Sequence, residues 1–338
     1  MIIVFFRSAL RSYSVGNDTE SYLHIYSWVS EYNSLKDLLL SSLTLTVEHG
    51  YLAINWFCFK VFAHYQSILI ISSIIIYWGF YRFIKGHSYS LLLSFAIFFF
   101  LGLSDNCMNI VRQCIATVII LYSYEFIIKQ KKKKFFVAVI IACLFHRSAI
   151  IFLPAWWICN YTFNKKAVII TLFSSLGLLG LLRCGNSLLF SVMGDYANYM
   201  SDDYEYSAGG KIAPLINMIM YATIFVFCNK QIRAAESRGE PSYVVEDLKR
   251  MRNLLWVALC FLVLSLANAL ISRMAMYYYV FVLSLLPNAI RLSKKKGFWS
   301  LVIIFFLALY YLVTVYFKPE WNTVYPYSFF WENHFIDR

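Results

Sequence analysis

Arg112, His146 and Arg273 are the side chains of this 338-residue chain that are most expensive to place, because they fall within or at the edge of apolar runs. An ionisable group inside a transmembrane segment costs about 2.5 to 3.5 kcal/mol on insertion scales, so such groups usually line a cavity or meet a partner. Threading the chain through a bilayer puts all three at the outer face. Two guanidinium forks there suit an anion such as a pyrophosphate, which a planar, permanently charged fork grips bidentately. Histidine titrates near neutrality and suits a general base or a hydrogen-bond donor. Each has a plainer reading: the arginines snorkel to outer headgroups, and His146 packs and donates to a carbonyl freed by a helix break. Arg147 is a third phosphate contact or an interfacial anchor. Asp18, in VGNDTESY, is an N-cap for a helix starting at Thr19, a carboxylate that activates or orients a hydroxyl, or both.

The elements that must position these residues are membrane helices. With 60% apolar residues, 14% charged residues and a mean hydropathy of +0.62, the chain is a polytopic membrane protein rather than a soluble domain. A hydrocarbon core about 30 Å thick needs roughly 20 apolar residues per helix. The expected fold is therefore all-α, one integral-membrane domain over 1–338 forming a bundle of about 9–11 helices. The net charge of +12 does not point to nucleic acid, because the basic residues sit in the connections between apolar runs.

Those connections set the orientation, since Lys and Arg are retained on the cytoplasmic side. KQKKKK at Lys129 to Lys134 is the clearest anchor, joined by Arg82 with Lys85, Lys165 with Lys166, the 229–252 loop, and Arg291 with Lys294 to Lys296. Spans are expected at 67–84, 88–104, 107–128, 167–184, 212–228, 253–271, 274–290 and 298–317, with Arg112 about a turn and a half into the third. The stretch 135–159 has basic loops at both ends, so one straight span breaks the parity. It reads instead as two short helices, 135–145 and 148–159, meeting at Phe145-His146-Arg147 as a broken or re-entrant hairpin. Backbone of that kind needs protein or water to cover it, which implies a cavity near His146. The segments 7–50, 185–211 and 318–338 fall outside, and 48–63 reads as a helix lying at the outer interface. MIIVFF is too short to cross, so either a full first helix is expected to precede it, the favoured reading, or the N-terminus is held outside by another route.

The eight cysteines lie singly in or beside apolar segments and read as small buried thiols. No HExxH, GxSxG, P-loop or dinucleotide fingerprint occurs, and no internal repeat, which argues against ATP-driven transport, zincin and serine-esterase chemistry and weakly against a secondary transporter. No metal or cofactor is expected.

Val15-Gly16-Asn17-Asp18-Thr19-Glu20-Ser21-Tyr22, Glu48-His49-Gly50-Tyr51, Arg112-Gln113-Cys114-Ile115-Ala116, Phe145-His146-Arg147-Ser148-Ala149-Ile150, Arg273 with Tyr277 and Tyr278, and Tyr325-Pro326-Tyr327 follow one another along nearly the whole chain. In this series the sequence resembles the EpsG family, grouped with the Wzy-type O-antigen and exopolysaccharide polymerases. It departs in having Asn17 where the family more often has Thr, and in the near absence of a first membrane helix. The resemblance implies polymerisation of undecaprenyl-pyrophosphate-linked oligosaccharide units at the periplasmic face of a bacterial inner membrane. It needs no nucleotide sugar and leaves room for a chain-length regulator as partner. Arg112, Arg273 and Arg147 would then hold pyrophosphate, and His146 or Asp18 would serve as base. Gln113, Glu48, Tyr277 and Tyr325 are candidate sugar contacts. Tyr196, Tyr199, Tyr204, Tyr206, Tyr327 and Trp331 are candidates for stacking on sugar rings. A flippase or exporter of lipid-linked sugar is the alternative, disfavoured by an almost purely apolar inner half; an O-antigen ligase-like transferase is the other.

Overall fold

A computed structural model describes residues 1–162, 164–184, 212–268, 271–317, 319 and 322–332. The expected loop tyrosines at 196, 199, 204 and 206 lie outside them. The described residues are helical apart from turns and one isolated antiparallel bridge between Arg11 and Phe329. The chain divides into two compact units, Met1–Ile150 with Lys295–Arg338, and Ile151–Lys294.

In the first unit, α1 (Ile2–Ala9), α2 (Thr19–Ser30), the short α3 (Leu35–Leu39) and α4 (Leu43–Thr46), and α5 (His49–Phe62) precede α6 (Gln66–His87). α6 buries Ile68, Leu69, Ile76, Phe80 and Ile84 against its neighbours. Its Gly79 lies so close to α9 (Val111–Ile128) that a Cβ there would run into the Val118 side chain. The basic stretch ends α9 at a tight turn in which Gln130 takes a left-handed conformation, and α10 (Lys132–Cys143) folds back along α9. The last helix, α17 (Lys296–Phe317), packs on α7 (Leu91–Phe100).

One expected span is not straight. Instead of a helix over 88–104, α7 stops at Phe100 and α8 (Leu103–Asn109) leaves at 58°. Gly102, at φ +71°, supplies the left-handed residue that ends α7. The expected span from Cys107 therefore starts at Val111, and Arg112 stands in the first turn of α9, not a turn and a half along it.

The N-terminal segment and the tail close over the start of α9. Ser12 N donates to Ser328 O and Gly16 N to Thr323 O, both at 3.0 Å, and Phe330 N donates to Leu10 O at 3.0 Å. Gly16 is required: it has φ +94°, and a Cβ would lie 3.1 Å from Asn109 Oδ1.

The second unit holds α11 (Ala155–Asn160), α12 (Lys165–Cys184), α13 (Ile212–Ser237), α14 (Ser242–Leu264), α15 (Ile271–Tyr279) and α16 (Val282–Arg291), with α14 touching the other five. The 229–252 segment, expected as a loop, is mostly helix. α13 and α14 run on past the apolar stretches and meet at a turn with Gly239 at φ +70°. Lys249 bridges Glu236 at 2.7 Å and Glu246 at 3.0 Å. Arg252 is buried, its guanidinium donating to Asn229 and Asn253, while the Asn253 amide caps the end of α11 through the carbonyls of Ile158 and Tyr161.

Among the described residues four helices are long and apolar enough to cross a membrane, and five if the bent α7–α8 pair counts as one. Eight spans were expected. The difference comes from helices that break, as at Val280–Phe281 between α15 and α16, from α14, which carries charges through its first half, and from α12, whose apolar stretch Val168–Leu181 is shorter than a full span. The all-helical polytopic class stands.

Candidate functional site

The 135–159 stretch breaks where the parity of the basic loops requires. α10 ends at Cys143, Leu144 to His146 form a turn, and a 3-10 helix over Arg147–Phe152 follows before α11. The second half is thus a 3-10 turn and a short helix, not one α-helix over 148–159.

This turn meets two helix starts. Val47 and Glu48 are extended, so α5 begins at His49 with Glu48 in the N-cap position. Gly50 presses the start of α5 onto the turn. Its N–H donates to Leu144 O at 2.7 Å, and a Cβ would lie 2.7 Å from that oxygen and 3.0 Å from Phe145 Cε1. The Glu48 side chain, 5% exposed, is the point of convergence. Arg112 Nη1 donates to Glu48 Oε2 at 2.6 Å, and Arg147 N donates to Oε1 at 3.1 Å. His146 Nδ1 stands 3.2 Å from Oε1, in contact with the carboxylate though off the line of a well-directed hydrogen bond.

Arg112 and Arg147 also hold the short α4 just upstream. Arg147 Nη2 donates to Thr44 O at 2.6 Å and Leu45 O at 3.0 Å, and Arg112 Nη1 to Thr46 O at 3.3 Å. Both hydrogen bonds of Arg112 to the described residues run through Nη1, so the rest of its fork is open to an anion. One carboxylate faces the Arg112 guanidinium, an imidazole and the Arg147 backbone N–H, and Arg112 sits in the first turn of α9, the positive end of that helix. The arrangement is suited to anion binding beside a base.

Burial by itself would raise the pKa of Glu48. The contact with His146 and the Arg112 charge outweigh it and hold the carboxyl down to about 2, well under its ordinary 4.5. A depressed carboxyl stabilises the fold above its unfolded value and loses that contribution as pH falls through the folded one. The thermal-stability gap between the wild type and Glu48→Gln is therefore expected to be flat from neutrality to about pH 4.5 and to close towards pH 2. Arg112 stays charged throughout. Thermal unfolding in detergent across that range checks it; a gap already closed at pH 5 contradicts it.

A second polar cluster lies at the start of α8. Arg7 pairs with Asp105 and donates to Ser104 Oγ at 3.1 Å and Tyr325 OH at 2.8 Å. Tyr311 OH donates to Asp105 Oδ2 at 2.9 Å. Arg11, 1% exposed, donates to Ser8 O and Met108 O, the carbonyls at the ends of α1 and α8, and to Thr19 Oγ1. Carbonyls at helix C-termini carry partial negative charge, which compensates a buried guanidinium.

A model of the EpsG family matches residues 1–329. The chain belongs to the EpsG family. Comparison with curated proteins and with solved structures found no match in either. EpsG is a family of Wzy-like polymerases, so this EpsG chain is in broad terms a glycosyltransferase-like polysaccharide polymerase and a multi-pass bacterial membrane protein acting on a lipid-linked oligosaccharide.

Of the residues singled out in the sequence, the fold of this EpsG chain brings together Arg112, His146, Arg147 and Glu48. Gln113 follows Arg112 on α9 and is buried. Asp18 occupies the N-cap position of α2, but its side chain makes no cap hydrogen bond; the cap expected of it is absent. Tyr325 belongs to the Arg7 cluster. Arg273 is exposed in the first turn of α15, in the second unit, with Tyr277 buried one turn on. Asp105, Arg7 and Arg11 are functional partners not singled out in the sequence, although Ser104-Asp105-Asn106 puts an acid between two apolar runs, in the connection between the spans expected at 88–104 and 107–128.

Proposed function

We propose that the protein polymerises undecaprenyl-pyrophosphate-linked oligosaccharide units by glycosyl transfer at the periplasmic face of the bacterial inner membrane, with the Glu48 cluster at the reacting centre. The observation that carries the reading is the meeting of the Arg112 guanidinium, the His146 ring and the Arg147 backbone N–H on one buried carboxylate. A hydroxyl of one lipid-linked unit attacks the anomeric carbon of the growing chain. The C–O bond to the pyrophosphate breaks, its electron pair leaves with undecaprenyl pyrophosphate, and the hydroxyl proton goes to a base. Arg112 faces the charge that develops on the leaving group, a role in which preorganised cations contribute most. Arg147 is the second pyrophosphate contact, through the part of its fork not engaged with Thr44 and Leu45. Arg273 is a further candidate for binding pyrophosphate.

His146 is the base this geometry favours, because a carboxylate stands beside its Nδ1 and leaves Nε2 to accept the proton. Asp18, Gln113 and Tyr325 are contacts to the sugar, Asp18 orienting the attacking hydroxyl. The surface glycan ladder of a deletion strain tests the reading. Single repeat units on the surface glycolipid are expected, restored to a ladder by the wild-type gene. A strain that displays no units indicates a flippase, polymer accumulating on the carrier indicates a ligase, and an unchanged ladder removes the chain from this step.

A further inference from the structure

Glu48 is the side chain the proposed transfer does not use directly, yet the hydrogen bonds that hold the site together pass through it or its neighbours. Its two oxygens are divided, Oε2 to Arg112 and Oε1 to His146 and the Arg147 N–H. Its backbone is fixed as well: Glu48 O accepts from Tyr51 N at 3.0 Å and Leu52 N at 3.1 Å, and Gly50 locks the same turn of α5 to Leu144. The carbonyls of Thr44, Leu45 and Thr46, just upstream, are held by the two arginines. A carboxylate with both oxygens committed and a clamped backbone is poorly placed to grip a sugar. It is well placed to fix the distance between a cation and a base.

We infer that Glu48 is a positioning residue, holding the Arg112 guanidinium and the His146 ring in one register so that leaving-group charge and proton acceptance are served together. This inference rests on the polymerase reading. The start of α5 acts as a wedge between α9 and the turn after α10. The carboxylate facing Nδ1 favours the tautomer in which Nε2 carries the lone pair. Misplacing either partner by an ångström is enough to slow a reaction that depends on near-attack geometry.

The test separates binding from turnover. Wild type, Glu48→Gln, Glu48→Asp and Arg112→Ala are reconstituted in nanodiscs. Binding of undecaprenyl pyrophosphate is measured alongside the rate at which lipid-linked units, extracted from the deletion strain, are extended. Glu48→Gln is expected to bind the lipid as the wild type does and to lose about tenfold or more in turnover, in the range that a displaced general base costs. Glu48→Asp, charged but too short to reach both partners, is expected to show the same split to a smaller degree, and it decides the matter if the Gln variant does not reach the membrane. Wild-type turnover in either folded variant overturns the inference. So does a parallel loss of binding and turnover at an unchanged thermal midpoint, which makes Glu48 a ligand contact. Arg112→Ala binding the lipid as tightly as the wild type, by contrast, overturns the polymerase site itself.

Discussion

Arg112→Ala is expected to leave the surface glycan as single repeat units, with turnover down by about 100- to 1,000-fold, the usual cost of losing one preorganised group that stabilises transition-state charge. The fork of Arg112 is only half spent on the protein, through Nη1. Its loss also strands the Glu48 carboxylate, buried and deprived of its cation, which by itself destabilises by about 3 to 5 kcal/mol. Activity and folding must therefore be read apart. The double variant Arg112→Ala with Glu48→Gln removes the stranded charge, so it is expected to recover membrane level without recovering the ladder. A full ladder from the double variant makes the arginine a structural tie and moves the pyrophosphate site elsewhere. Arg112→Lys keeps the charge but not the planar fork, and is expected to be intermediate. The readouts are the glycan ladder and the membrane-fraction level of each variant.

The largest effect on the fold is expected at Asp105. This carboxylate, 2% exposed, pairs with Arg7 and accepts from Tyr311 OH, so it ties α1 and α17 to α8. Through Arg7, whose Nη1 reaches Tyr325, it also ties down the tail. Asp105→Ala strands a largely buried guanidinium and removes the acceptor of a buried phenol, a combined loss of about 3 to 5 kcal/mol. Tyr311→Phe removes only the hydrogen bond and is expected to cost about 1 kcal/mol. Pairing Asp105→Ala with Arg7→Met removes both charges and is expected to restore much of the loss. Thermal unfolding in detergent ranks the three, and protease nicking over 322–332 reports whether the tail has come loose. An Asp105→Ala protein that melts with the wild type would show that the pair contributes nothing net.

The pattern of hydropathy and charge determined a good deal by itself. The helical membrane class, the approximate places of α6, α9, α12 and α17, and the break near Phe145-His146-Arg147 all follow from local runs of apolar residues and from basic residues that cannot be left in the hydrocarbon. The family was legible in the spaced motifs over nearly the whole chain. Local patterns could not place the bend at Gly102, because a glycine in an apolar run reads the same whether the helix passes through it or ends there. Nor could they place the breaks within 271–291, where apolar composition continues across Val280–Phe281.

Pairing was the tertiary structure's to decide. Glu48 meets Arg112 64 positions away and Arg147 99 positions away. Arg7 meets Asp105 98 positions on and Tyr325 318 positions on. A single sequence lists the charges that burial makes expensive, but which charge answers which depends on how helices cross, and that is settled by packing contacts such as Gly50 on Leu144 and Gly79 on Val118. Hence Arg112, His146 and Arg147 were recognisable from residue type and depth, while the carboxylate that joins them gained its place only when α5, α9 and the turn after α10 came together.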